Sequence, residues 1–162
     1  MPPKNEKIIP PFSATPIIPG LWLGDSQDAL SFFLLKEKQI DIIINCTPDD
    51  PFIAGDTEII KKRIPINDDT KHYYQINEKL YTYLDAITSF IFSQLNLGKK
   101  IFIYCHSGRQ TAPAIVSAYF MRYGKVDKQQ AINYVRMKRP KAFRPAINFN
   151  HALEKYEKQL KS

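Results

Sequence analysis

The chain has 162 residues, of which 44% are hydrophobic and 24% are charged. This balance is that of an ordinary soluble globule, so it excludes a wholly disordered chain and a collagen-like one. The length suits a single domain, and the longest apolar runs have the size of β-strands, well short of the roughly 18 residues that a membrane span needs.

The N-terminal segment is rich in proline, with six of the twelve prolines before residue 20. Because proline fixes φ and donates no backbone hydrogen bond, we expect residues 1–15 to form an extended arm and residues 16–162 to form the folded domain. The first seven residues are polar and lack the apolar stretch of a signal peptide, which predicts a cytoplasmic or nuclear protein that is not secreted. A homodimer formed through this arm is left open.

The rest of the chain alternates between short apolar runs and amphipathic segments. The apolar runs predict strands at residues 17–23, with a Pro19-Gly20 turn inside, and at residues 41–45, 59–66 and 101–104. The amphipathic segments, with their caps and breakers, predict helices from Asp25 or Ser26 to about residue 38, over residues 76–98, 111–124 and 127–139, and from about residue 147. This alternation predicts an α/β domain, with a central four- to five-stranded, mostly parallel sheet flanked by helices.

Charge is distributed unevenly along the chain. Residues 99–144 contain 11 basic residues and one acidic residue, Asp127, and the net charge of the whole chain is +7. This distribution favours an anionic partner, either nucleic acid, an acidic membrane or a phosphorylated molecule, but it also fits a solvated surface. Cys46 and Cys105 are too few for a disulfide framework, and no Cys/His cluster has zinc spacing. We therefore expect free thiols, no metal and no cofactor.

The most informative stretch joins the strand at residues 101–104 to the helix that begins near Thr111. The loop between them contains Cys105 and Gly108. In this geometry the backbone N–H groups of the loop converge, and the helix N-terminus adds partial positive charge, so the loop suits an anion. A cysteine at the edge of such a loop has a stabilised thiolate and becomes a nucleophile. Taken alone, the same residues also fit a buried cysteine between an ordinary strand and an ordinary helix.

Several other stretches of the sequence are informative when they are considered together with this loop. They are residues 19–24 with Ala29, residues 40–47, residues 64–68, residues 114–121, and residues 131–140 with Phe149 and Leu153. Together they resemble the dual-specificity phosphatases, the small members of the protein-tyrosine-phosphatase superfamily, from about residue 16 to about residue 160. The resemblance implies that family's fold, Cys105 as the nucleophile and a loop that binds phosphate. The implied phosphate-binding residues are His106, Ser107, Gly108, Arg109, Gln110 and Thr111.

Three positions of the family's signature lack the expected side chain. The signature is His-Cys, five residues, Arg and then Ser or Thr, whereas this chain has Tyr104, Thr111 and Ala112 at the His, Arg and hydroxyl positions. In the family the arginine clamps the phosphoryl oxygens. Losing its two charge-assisted hydrogen bonds forfeits about 3–6 kcal/mol, or about two to four decades of rate. Arg109 lies two residues too early to replace it, and we expect it to point outward. The backbone of the loop survives the loss, so binding should outlast catalysis.

The resemblance also implies a general acid after the strand at residues 59–66. Asp68 matches its register and Asp69 is the adjacent alternative, although a solvated turn would also place two carboxylates here. A carboxylic acid at this point would protonate the leaving oxygen.

Two other groups admit more than one interpretation. Cys46 fits either the core or a redox partner of Cys105. A second basic group fits recognition of a second phosphate or of an acidic segment, or a solvated helix end. It consists of Lys138, Arg139, Lys141 and Arg144.

These observations predict a dual-specificity-phosphatase-like protein, a pseudophosphatase that binds partners phosphorylated on Tyr, Ser or Thr with little or no hydrolysis. The alternative is a low-activity protein phosphatase that acts through a Cys105 phosphoenzyme with Asp68 as the acid. A nucleic-acid-binding protein is a third class, but no base-stacking or groove-reading motif accompanies the basic half of the chain.

Overall fold

The computed structural model describes residues 13–52, apart from the side chain of Leu34, and residues 58–162. Residues 1–12 of the predicted N-terminal arm lie outside the described residues, and so does any contact of that segment with a second copy. Within the described residues the predicted fold is confirmed, since helices flank one mixed five-stranded sheet.

The strands of the sheet lie in the order β1-β2-β5-β3-β4. Strands β1 and β2 form an antiparallel hairpin, and the pairs β2–β5, β5–β3 and β3–β4 are parallel. The parallel arrangement places the carboxyl ends of β2, β3, β4 and β5 at one edge of the sheet. The strand bounds are β1 Thr15–Ile18, β2 Leu21–Gly24, β3 Ile42–Asn45, β4 Ile60–Arg63 and β5 Ile101–Tyr104.

Two of the predicted strands differ from those observed. The stretch predicted at residues 17–23 is the β1–β2 hairpin, because Gly20 adopts a φ of 87° and reverses the chain. The strand predicted at residues 59–66 is the shorter β4. Pro65 has no N–H to donate to a neighbouring strand, and the Ile66 N–H donates to the Ile64 oxygen at 2.8 Å, so the chain turns away from the sheet.

The helices begin and end close to the predicted positions, except that one predicted helix is divided into two. The helix predicted from Asp25 to about residue 38 is two helices. Asp25 caps the first helix. The N–H groups of Leu30 and Ser31 then donate 3₁₀-type hydrogen bonds to the carbonyls three residues before them, which ends that helix. The helix bounds are α1 Ser26–Ala29, α2 Phe32–Glu37, α3 Tyr73–Asn96, α4 Thr111–Tyr123, α5 Lys128–Lys138 and α6 Asn150–Lys161. None of the helices among the described residues is long and apolar enough to cross a membrane.

The alternation of side chains along β5 divides the core between the two faces of the sheet. Ile101 and Ile103 belong to the larger cluster, which α3, α4 and α6 cover, whereas Phe102 and Tyr104 belong to a smaller cluster with residues of α1 and α2. Because Asn45 of β3 is paired with Tyr104 of β5, the residues that follow them, Cys46 and Cys105, leave the sheet side by side. This edge carries the candidate site.

Candidate active site

The Cys105 loop, residues 105–111, connects β5 to α4 at the carboxyl edge of the sheet. Thr111 is the first residue of α4, so the loop ends at a helix N-terminus, as predicted. The backbone N–H groups of Gly108, Gln110 and Ala112 lie close enough to the Cys105 sulfur to lower its pKa. N–H groups that converge next to the positive end of a helix suit an anion, so the backbone has the geometry that the sequence predicts.

Gly108 is the one position of this loop where a side chain would not fit. Its φ is 68°, a conformation that costs little for glycine and is strained for other residues. A Cβ at this position would lie 2.8 Å from the Gly24 carbonyl oxygen and would overlap the Arg139 guanidinium. The glycine therefore provides both the turn and the room for a buried arginine.

Arg139 is buried against the Cys105 loop and holds its backbone in place. Its side chain is 2% exposed, and its Nε donates to the Gly108 oxygen at 2.8 Å. Its Nη1 donates to Thr15 Oγ1 at 2.9 Å. Since the C=O and N–H of one peptide group point in opposite directions, this bond aims the Arg109 N–H away from Arg139. Arg139 is thus unavailable to a partner, and the idea that it recognises a second phosphate is wrong.

The Cys105 thiol is less acidic than the loop alone would make it. Burial raises its pKa, and the carboxylate of Asp68 raises it further, while the three loop N–H groups lower it. The burial effect is the largest, so the pKa lies above the ordinary value of a cysteine. The sequence predicts a stabilised thiolate, and here the prediction differs from the structure: the N–H groups are present, but desolvation of Cys105, which is 1% exposed, outweighs them.

Cys105 lines a cleft of about 320 Å³. Asp68, the candidate general acid, lines the same cleft, whereas the Asp69 carboxylate accepts the Lys71 N–H at 3.0 Å and caps a short helical turn. Among the described residues that line the cleft there is no lysine or arginine. The lining residues are Cys46, Thr47, Pro48, Asp49, Asp50, Ile66, Asn67, Asp68, Cys105, His106 and Thr111.

Three of the predicted phosphate-binding residues belong to the Cys105 loop but do not line the cleft, namely Ser107, Arg109 and Gln110. Arg109 is exposed and does not line the cleft, as expected from its position in the loop. Ser107 Oγ accepts the Arg109 N–H at 3.3 Å. The Gln110 side chain is buried, where it donates to the Ala146 oxygen at 2.8 Å and accepts the Asn148 N–H at 2.9 Å. Only the backbone of Gln110 is thus available to an anion.

The acidic turn after β3 belongs to the site and was not among the sequence-predicted residues. Asp49 and Asp50 line the cleft, and Asp50 accepts a hydrogen bond from the Ser26 hydroxyl and lies 3.4 Å from His106 Nδ1. Arg63 of β4 holds this turn through the Thr47 and Asp50 carbonyls. The sequence contains a signal for these two residues, because a polar turn after a central parallel strand reaches the same edge of the sheet as the Cys105 loop.

Tyr104 faces away from the cleft. Its ring stacks on Phe102 with centroids 5.4 Å apart, in the smaller core cluster. Burial raises the pKa of its phenol well above the usual range, and Asp50 acts in the same direction. A protonated phenol carries no positive charge, so Tyr104 does not replace the electrostatic contribution of a histidine to the thiolate.

Comparison with known proteins gives a consistent picture. Residues 21–159 match the family described as "Dual specificity phosphatase, catalytic domain". The tyrosine-protein phosphatase vhp-1 of Caenorhabditis elegans is 34% identical over 90% of this chain, but this chain spans only 21% of that protein. The dual specificity phosphatase 28 of Mus musculus is 27% identical over 98% of this chain and 91% of the mouse protein. A mouse dual specificity phosphatase, crystallised in complex with zinc tungstate, has a TM-score of 0.80 and 26% identity over 96% of this chain and 92% of its own.

The fit of Gly108 leads to a stability test. Gly108→Ala should lower the free energy of unfolding by about 2–4 kcal/mol, since a positive φ costs a non-glycine residue about 1–2 kcal/mol and the collision with Arg139 and Gly24 adds to that. Gly98 is the matched control, because its φ is 78° but a Cβ there would meet no atom within 4 Å. Gly98→Ala should cost only about 1–2 kcal/mol. Equal costs in urea unfolding would show that the space beside Arg139 is not limiting.

The position of Asp68 leads to a reactivity test. Its negative charge raises the Cys105 pKa, so Asp68→Asn should increase the thiolate fraction and accelerate alkylation of Cys105 by iodoacetamide severalfold near neutral pH. Cys46 serves as the internal reference, because burial and the neighbouring Cys105 raise its pKa well above the ordinary value and it should react more slowly. Asp69→Asn is the control variant. The same rate in Asp68→Asn and Asp69→Asn, measured by peptide mass spectrometry, would contradict this placement of the carboxylate.

Proposed function

Since the chain belongs to the dual-specificity phosphatase family, we propose that it is a pseudophosphatase, which binds partners phosphorylated on tyrosine, serine or threonine and hydrolyses them little or not at all. The observation that supports this most directly is Thr111, which begins α4 where the family's signature has an arginine. Beside it, the converging N–H groups of the Cys105 loop are retained. The proposal separates binding, which the backbone provides, from catalysis, which needs the missing side chain.

The absence of an arginine at residue 111 removes enough transition-state stabilisation to determine whether the protein hydrolyses its partner. A guanidinium would make two charge-assisted hydrogen bonds to the phosphoryl oxygens, whereas Thr111 has one neutral hydroxyl. The difference is about 3–6 kcal/mol of transition-state stabilisation, or about two to four decades of rate. Ala112 adds to the defect, because no hydroxyl stands ready to help the thiolate leave in the second step.

The charges that line the cleft support the same conclusion. Asp49, Asp50 and Asp68 contribute carboxylates, and among the described lining residues no lysine or arginine balances them. These carboxylates repel a phosphoryl dianion, and Asp68 also disfavours the attacking thiolate. The loop N–H groups offset part of the repulsion. We therefore expect inorganic phosphate to bind weakly, with the rest of the partner contributing most of the affinity.

The alternative is a phosphatase of low activity, and the shared location of Cys105 and Asp68 favours it over other enzyme classes. Cys105 would attack phosphorus and form a phosphoenzyme, while Asp68 would protonate the leaving oxygen, a contribution of about two to four decades. In either case we place the protein in the cytoplasm or the nucleus, where the two free thiols, Cys46 and Cys105, stay reduced.

Hydrolysis and anion binding can be measured separately. We expect turnover of p-nitrophenyl phosphate by the wild-type protein to lie within a fewfold of the Cys105→Ser variant. Tungstate has the tetrahedral shape of phosphate, so at millimolar concentration it should protect Cys105 from iodoacetamide. Turnover at the rate of ordinary phosphatases would refute the pseudophosphatase, and absence of protection at high tungstate would refute the anion site.

Restoring the arginine tests the cause of the defect. Thr111→Arg places a guanidinium at the first turn of α4, and hydrolysis of p-nitrophenyl phosphate should rise by about two or more decades. Adding Ala112→Ser should raise it further, although the gains need not be additive, because both positions act on one anion.

The control is the same pair of substitutions together with Cys105→Ser, which should be inactive. If the restored variant is no faster than the wild type, the defect lies elsewhere, in the acidic lining of the cleft or in the placement of Asp68.

A further inference from the structure

We infer that the partner carries acidic residues on one side of its phosphorylated residue only, because the two sides of the Cys105 loop have opposite charge. This inference rests on the proposed function and specifies the partner of the same site. The charges come from two surfaces, each held by its own contacts. The basic rim consists of Arg109, Arg136, Lys141 and Arg144, and the acidic rim consists of Asp49 and Asp50.

The basic rim is attached directly to the Cys105 loop. The Phe143 N–H donates to the Arg109 oxygen at 2.7 Å. Arg136 of α5 donates from Nη2 to the Phe143 oxygen at 2.9 Å, so its guanidinium is held against the same segment. Burial lowers the pKa of Arg136, and the neighbouring charge of Arg144 lowers it further. The rim thus brings several cations together beside the loop.

The positive charge of this rim is not neutralised within the molecule. Among residues 13–52 and 58–162, no carboxylate forms an ion pair with Arg109, Arg136 or Arg144. Arg109, Lys141 and Arg144 are exposed. The rim is therefore free to attract negative charge from a partner.

The acidic rim contacts a different part of the Cys105 loop and is also fixed in place. Asp50 lies 3.4 Å from His106 Nδ1 and accepts a hydrogen bond from the Ser26 hydroxyl, whereas the segment of the basic rim is bonded to the loop at Arg109. Arg63 donates from Nη2 to the backbone oxygen of Asp50 at 2.8 Å, which holds the turn, and both Asp49 and Asp50 line the cleft. A phosphorylated residue seated in the Cys105 loop would thus have a basic rim on one side and an acidic rim on the other.

This asymmetry selects among the anionic partners. A nucleic acid or an anionic membrane presents negative charge on both sides of any phosphate that it places in the loop, so one side always meets the acidic rim. A phosphorylated polypeptide can differ in charge on its two sides. The charge complementarity therefore favours a phosphopeptide with acidic residues against the basic rim and neutral or basic residues against Asp49 and Asp50.

The test uses three phosphotyrosine peptides of equal length and the wild-type protein. One peptide has glutamates before the phosphotyrosine and lysines after it, the second has the reverse order, and the third is neutral on both sides. One of the two charged peptides should bind at least about tenfold more tightly than the other in fluorescence anisotropy. The unphosphorylated versions should bind much more weakly.

Charge reversal assigns the preference to the basic rim. The double variant Lys141→Glu, Arg144→Glu should abolish or invert it while leaving affinity for the neutral phosphopeptide within about threefold. The matched control is Lys99→Glu, Lys125→Glu, which changes the net charge equally at the far ends of β5 and α4. The control should keep the preference.

The outcomes separate the two proposals. If the neutral phosphopeptide binds but both charged peptides bind equally, the inference is overturned and the proposed function stands. If no phosphopeptide binds, the proposed function fails, and the inference fails with it. Tighter binding of duplex RNA or of phosphatidylserine vesicles than of every phosphopeptide would overturn the choice of a polypeptide partner.

Discussion

The site depends on one buried contact, the hydrogen bond from Arg139 Nε to the Gly108 oxygen. The same guanidinium binds Thr15 Oγ1 of β1, so a residue that follows α5 joins the edge of the sheet to the loop. Its Nε and Nη1 find acceptors, whereas its Nη2 is buried without a hydrogen-bond partner among the described residues. The two paired nitrogens fix the positions of the oxygens around the guanidinium. Gly108 leaves the room that the guanidinium occupies. The shape of the candidate anion site is thus set by residues that are not among those lining the cleft.

The resulting site separates two properties that cysteine-based phosphoryl transfer needs together. The N–H groups that surround Cys105 provide geometry, yet burial and Asp68 raise the thiol pKa above its ordinary value. The cationic side chains near the loop do not line the cleft. They belong to the basic rim or, in the case of Arg139, are buried against the loop. Among the described residues, positive charge therefore lies beside the cleft rather than in its lining, and residue 111 is an uncharged threonine.

The strongest local patterns predicted the fold. The apolar runs of β3 and β5 are fully buried, and α3 ends at Asn96, two residues before the predicted stop at Gly98. The errors occur where a backbone detail overrides a pattern. The predicted Pro19-Gly20 turn is present but joins two antiparallel strands instead of interrupting one. Pro65 ends another predicted strand early, and i to i−3 hydrogen bonds after α1 divide one predicted helix. Hydrophobic patterns report burial along the chain and carry little information on where a turn interrupts it.

For the site, the sequence by itself determined the strand–loop–helix around Cys105, the glycine at residue 108, the acid candidate Asp68 and the absence of an arginine at residue 111. These features are local, since each follows from neighbouring residues or from a motif. The tertiary structure decided that Arg139 lies under the loop, that Asp49 and Asp50 enter the cleft, and that Gln110 turns away from it. It also decided the direction of the Cys105 pKa, because desolvation depends on everything packed around the sulfur, and residues distant in the chain supply that packing.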